Sequence, residues 1–151
     1  MLGMLGMLGK SEEAIAVYDV IDQRFGKDTA PGVREQVAKA LNSNGFNQIR
    51  LAKQSWTEGT LRSDLLASAA TALQRALLHC DKDNRAMILG NLGYAQFLSG
   101  QTDAAEASTK ECLQLGGQKL FDRQLADAKL HRVEPQNSDY EKMLLNIFKN
   151  L

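Results

Sequence analysis

Apolar side chains recur along this chain at steps of three and four, the spacing that puts them on one face of a helix. The first stripe is Ala14, Val17, Tyr18, Ile21 and Phe25. Ser11 stands where an N-cap would, and Glu12 and Glu13 fall in the first turn, where negative charge suits the helix dipole. Gly26 is placed to close this helix as a left-handed cap. Pro31 fits a first helical position, and Val33, Val37, Leu41, Ile49 and Ala52 predict a long second helix. Asn42 to Asn47 is a weak stretch within it, because Gly45 and three asparagines lower helix propensity.

Gly59-Thr60 punctuates the pattern, and Thr60 is a candidate cap for a third helix with the stripe Leu65, Leu66, Ala69, Ala72, Leu73, Ala76 and Leu77. Asp81 to Asn84 reads as a polar turn. A fourth helix is expected from about Arg85 to Leu98, closed by Ser99-Gly100. Thr102 is placed to cap a fifth, which stops at Gly116-Gly117. A sixth covers about Gln118 to His131, with Leu120, Phe121, Leu125 and Ala128 on one side. Pro135 breaks the chain, and Ser138 to Glu141 has the form of a capping box for a seventh helix carrying Met143, Leu144, Ile147 and Phe148. Valine, isoleucine and threonine never alternate over several positions, so no strand is expected. The chain reads as all-α, with about seven helices. Short connections leave two architectures, a closed bundle or an open array of helix pairs.

Composition narrows the function more than the fold. At 151 residues the chain is one domain by length and long enough to bury a core. Eighteen cations balance eighteen anions, and no basic run concentrates the positive charge, which argues against nucleic acid as a partner. Cys80 and Cys112 make no disulfide framework and read as buried or half-buried thiols in a reducing compartment. A metal site from His79, Cys80, Cys112 and His131 lacks any paired ligand spacing. The two histidines read instead as helix-end residues beside carbonyl dipoles. Met1 to Gly9 is a threefold Met-Leu-Gly repeat without the basic start or cleavage site of a signal peptide, and too short to span a bilayer. It reads either as a helix extension or as a frayed tail, and a cytoplasmic location with no membrane contact is expected. No phosphate loop, metalloprotease motif, nucleophile elbow or di-iron Glu-x-x-His pair occurs, so neither catalysis nor a cofactor is expected.

Internal repetition favours the open array. Leu89, Leu92, Gly93 and Ala105 have the spacing of the tetratricopeptide repeat, in which a large residue precedes Leu-Gly and an alanine follows twelve positions after the glycine. Glycine on one helix and alanine on the next let two backbones approach closely. Asn44-Gly45 stands where Leu-Gly would fall in a preceding unit, with Ala69, Leu73 and Ala76 on its second helix. There the separation from Gly45 to Ala69 is doubled, so about twelve inserted residues, near Ile49 to Thr60, must lengthen the helix or widen the turn. Ala14, Tyr18 and Ile21 resemble the second helix of a first unit cut at its start, with Gly9 at the turn. The chain thus resembles the tetratricopeptide-repeat family over about residues 1 to 116. One unit is cut (1–28), one stretched (31–82) and one well matched (84–116), and 118–151 would supply capping helices.

That resemblance implies a right-handed superhelix whose first helices line a concave groove for a peptide or protein. In this register the groove-facing positions are Lys39, Asn42, Ser43, Phe46 and Arg50 in one unit and Met87, Asn91, Tyr94 and Leu98 in the next. The family subset that grips an acidic C-terminus would find Lys39, Asn42 and Asn91 here, but Met87 and Gly90 replace polar positions. Tyr94 and Phe97 at helical spacing also suit a core, and Trp56 suits an anchor for the inserted stretch. The function expected is therefore non-catalytic protein or peptide binding. Two alternatives stand beside it: self-assembly through residues 1–25, giving a homo-oligomer, and neutralisation of one specific protein.

Overall fold

The computed structural model describes residues 2–25, 27, 30–56 and 62–151, and of the side chains not those of 2–12 and 14. It is all-helical over these residues, with six helices: α1 (Leu2–Phe25), α2 (Pro31–Gln54), α3 (Ser63–His79), α4 (Lys82–Leu98), α5 (Thr102–Lys129) and α6 (Gln136–Lys149). The expected fifth and sixth helices form one element broken at Gly117, whose φ of 59° is left-handed and open to glycine without strain. None of the six is long and apolar enough to cross a membrane.

Each helix packs on the next in sequence, and α4 also touches both α2 and α6. This makes α4 the hub, and its composition explains why. From Ile88 to Gln96 every residue is buried, so no face is left for solvent. Its glycines set the closest approaches. A Cβ on Gly93 would stand 2.5 Å from Thr109 Oγ1 and 3.3 Å from the Ala105 carbonyl, both on the first half of α5. A Cβ on Gly90 would meet Gln124 Oε1 at 2.6 Å, on the second half. The Gly117 break lets both halves of α5 lie against one helix. Gly45 makes the equivalent approach between α2 and α3, although its partner is Leu73 rather than Ala69.

Several local expectations are corrected. Helix α1 already runs at Leu2, so Ser11 is interior rather than an N-cap, and Gly9 lies within the helix rather than at a turn. The asparagine-rich stretch of α2 does not interrupt it, because packing overrides weak propensity there. Asp81 to Asn84 is no separate turn: Asp81 caps α4, its carboxylate accepting the Asn84 N–H at 2.9 Å. Thr102 lies inside α5, whose cap position is Gln101. Ser138 lies inside the first turn of α6, and the Glu134 carboxylate takes its N–H at 3.2 Å and its hydroxyl at 2.6 Å. Helix α2 extends to Gln54 through part of the inserted stretch, and Trp56 packs against the core. The expected caps at Gly26 and Thr60 lie outside the described residues.

Polar links tie α1 to the rest. The Asn44 amide donates to Asp19 at 2.9 Å and accepts from Gln48 at 3.2 Å, while Asp22 pairs with Arg75 of α3. Val17, Val20 and Phe25 stay half-exposed along α1.

Candidate functional site

Phe46, Ile49, Arg50 and Lys53 recur on α2 at the steps that form a single helical stripe. Opposite them stand Asn91 and Tyr94 of α4, and the end of α5 closes the third side with Asp127 and Leu130. Together these residues line a narrow cleft whose free interior is about 20 Å³, room for little more than one water molecule. Its walls are apolar through Phe46, Ile49, Tyr94 and Leu130, and its charges are Arg50 and Lys53 against Asp127.

Four of the expected groove residues, Phe46, Arg50, Asn91 and Tyr94, are brought together here. The others are not. Lys39 points to solvent and pairs with Glu35 one turn earlier, at 3.2 Å. Asn42 accepts the Asn91 amide at 2.9 Å and directs its own amide at the Met87 sulfur, 3.6 Å away. This couples α2 to α4 and takes up groups expected to meet a partner. Leu98 is buried, and Ser43 accepts the Asn47 amide through its backbone carbonyl. Tyr94 belongs to the core as much as to the cleft. Its hydroxyl is bonded to Asn137, its ring packs 4.6 Å from that of Tyr140, and burial drives its pKa upward.

Sequence reasoning missed Lys53, Asp127 and Leu130 as cleft residues, and read Ile49 only as part of the apolar stripe of the second helix. Lys53 was findable, since it continues the stripe of Phe46 and Arg50. Nothing local announces Asp127 or Leu130, which reach the cleft only because α5 docks with its C-terminal end there.

Lys53 is the most unusual group of the site. Only 5% of it is exposed, and its ammonium donates to the carbonyls of Asp127 at 3.3 Å and Ala128 at 3.2 Å. These are late carbonyls of α5, at its negative pole, where the Asp127 carbonyl also takes the Leu130 N–H at 3.3 Å and the Ala128 carbonyl the Asn137 amide. The ammonium also lies 4.9 Å from the Tyr94 ring centroid. Burial lowers the Lys53 pKa to about 8, with Asp127 opposing the shift and Arg132 adding to it. Burial raises the pKa of Asp127, against the pull of Arg123 and Lys53. His131, which follows α5 at a φ of 48° and meets the Gln54 amide at 3.1 Å, is lowered by burial and by the charges of Lys53 and Arg50. Among the described residues no three histidine, cysteine or acidic side chains gather where they could hold a metal. Both thiols are free, Cys112 buried and Cys80 half-buried.

The Lys53 shift has a measurable consequence. Well below pH 8 the native and unfolded chains both carry the ammonium, and burying it costs the native state. Between about pH 8 and 10.5 the native state releases the proton first, so the unfolded chain binds more protons and stability rises with pH. Relative to Lys53→Met, the wild type should gain about 3 kcal/mol across that window. Urea unfolding of both proteins at several pH values measures this, and a gap that stays constant would refute the buried-ammonium account.

Compared with known proteins, the chain matches no family model, no curated protein and no solved structure.

Proposed function

We propose that this protein is a non-catalytic protein-interaction module. In this reading it is a short, irregular array of helix pairs of the tetratricopeptide-like kind, which holds a peptide segment of its partner against the α2–α4–α5 cleft. The observation that carries it is the convergence of Phe46 and Arg50 with Asn91 and Tyr94 on one cleft, as the repeat register requires. Two further features support the array: α2 and α4 touch directly, and Gly45 and Gly93 make matching close approaches to their following helices. The cleft's apolar rim of Phe46, Ile49 and Leu130 suits contact with an apolar side chain of the partner.

Peptides selected from a random displayed library by the wild-type protein provide the test. Their affinity, read by fluorescence anisotropy, should fall about tenfold or more in Phe46→Ala and in Leu130→Asp. It should be unchanged in Leu115→Asp, an exposed α5 position that does not line the cleft. Peptides that bind all four proteins equally would place recognition elsewhere, and a library that yields no binder would sink the reading.

A further inference from the structure

Helix α1 has two faces, and the fold covers one of them. Among the described residues it packs against α2 and is paired by Asp22 with Arg75 of α3. On the opposite side Glu13, Val17, Val20 and Arg24 are exposed, Val17 by 57% and Val20 by 46%. Their steps of four, three and four residues put all four on one stripe, the spacing at which two helices pair along a seam. The stripe is apolar at its centre, acidic towards the N-terminus and basic towards the C-terminus. A two-fold axis passing between Tyr18 and Asp19 matches that order to itself. With two copies antiparallel, Val17 of each meets Val20 of the other, and Glu13 of each meets Arg24 of the other. Parallel pairing would instead oppose Glu13 to Glu13 and Arg24 to Arg24, and would lay the helix dipoles side by side in the same direction.

We propose that α1 is a self-association surface, on which a second copy of this chain pairs antiparallel through Glu13, Val17, Val20 and Arg24. The occupant is selected by charge complementarity, since the stripe carries both halves of each ion pair it needs. One acid and one base around two valines offer no net charge to an anionic membrane or to a uniformly charged partner. The size of the seam sets its strength. It spans only about three helical turns, well short of the roughly 800 Å² per partner of a standard interface. Association is therefore weak, with a Kd of about 10–100 µM. No α1 residue lines the α2–α4–α5 cleft, so this proposal stands or falls separately from the peptide-binding reading.

Sedimentation equilibrium of the full chain at low salt, from about 5 µM to about 1 mM, tests it. The mean mass should climb from monomer towards dimer within that range. By symmetry Glu13→Arg or Arg24→Glu turns two attractions into two repulsions, so each single variant should associate at least about tenfold more weakly. Both changes in one chain restore the complementary order and leave the net charge as it was. That double variant should therefore recover wild-type association. A wild type still monomeric at about 1 mM would overturn the proposal. So would single reversals without effect, or a double variant as weak as the singles. Both side chains are exposed, so the variants should keep wild-type helicity by circular dichroism. Should either lose it, Val17→Ser and the wild-type concentration series decide, the serine variant associating more weakly than wild type.

Discussion

Replacing Asn137 by leucine should destabilise the protein by about 3 kcal/mol, among the largest effects of any single side chain. Asn137 is fully buried. Its amide donates to the Ala128 carbonyl and to the Tyr94 hydroxyl at 3.0 Å, and its oxygen lies 3.2 Å from that hydroxyl. Leucine fills the volume but offers nothing to the phenol, which then sits in a low-dielectric interior without a partner. The Ala128 carbonyl keeps Lys53, so the loss falls on the Tyr94 hydroxyl and on the buried Val133 N–H, which donates to Asn137 at 3.4 Å. Tyr94→Phe in the Asn137→Leu background should therefore recover part of the deficit, with a coupling of about 1–3 kcal/mol in a double-mutant cycle. Strictly additive effects in urea unfolding would show that the two residues do not act as a unit. Nearby, Gln124 donates to the Gly90 carbonyl and to the Tyr140 hydroxyl, each at 2.9 Å, so the last third of the chain is fixed on α4 by amides as well as by apolar packing.

The second large effect is a glycine substitution whose sign depends on place. A Cβ on Gly45 would lie 2.5 Å from Leu73 Cγ and 2.8 Å from Leu73 Cδ2. The Leu73 branch point is held in a completely buried site, so α2 and α3 must separate. Alanine gains about 1 kcal/mol of helix propensity against about 1–3 kcal/mol of overpacking, and the bulkier Gly45→Val should lose about 3 kcal/mol or more. Gly32, in the first turn of the same helix, has nothing within 4 Å of an added Cβ. Gly32→Ala should stabilise by up to about 1 kcal/mol. Chemical denaturation of the three variants reads both signs. Destabilisation by Gly32→Ala, or none by Gly45→Val, would contradict the close α2–α3 crossing.

Much of this was legible in the chain, unevenly. The apolar stripes located most helices, because periodicity records one element facing one core, but α1 begins nine residues before the expected cap at Ser11 and the expected fifth and sixth helices are one element. The Leu92-Gly93 and Ala105 spacing marked a true close approach, for steric room must be written as small residues. Caps were read less well. Ser11 and Ser138 look like N-caps yet lie inside their helices, and Thr102 is the first residue of α5, one position past its cap. Gly90 looked like a lost polar position, and only the position of Gln124 reveals that it makes room for an amide.

The sequence by itself determined an all-α chain, the approximate helices and four of the residues that line the cleft, since Phe46, Arg50, Asn91 and Tyr94 follow from the register of the repeat resemblance. The tertiary structure alone decided the other half. The left-handed Gly117 turns the end of α5 back onto the hub, bringing the Asp127 and Ala128 carbonyls to Lys53 and Leu130 to the rim. It also decided that Asn42 and Asn91 bond to each other, and that Lys53 is buried rather than solvated. Periodicity is local, whereas burial and pairing depend on which distant segment arrives. The most distinctive chemistry of the molecule was therefore not readable until the chain was folded.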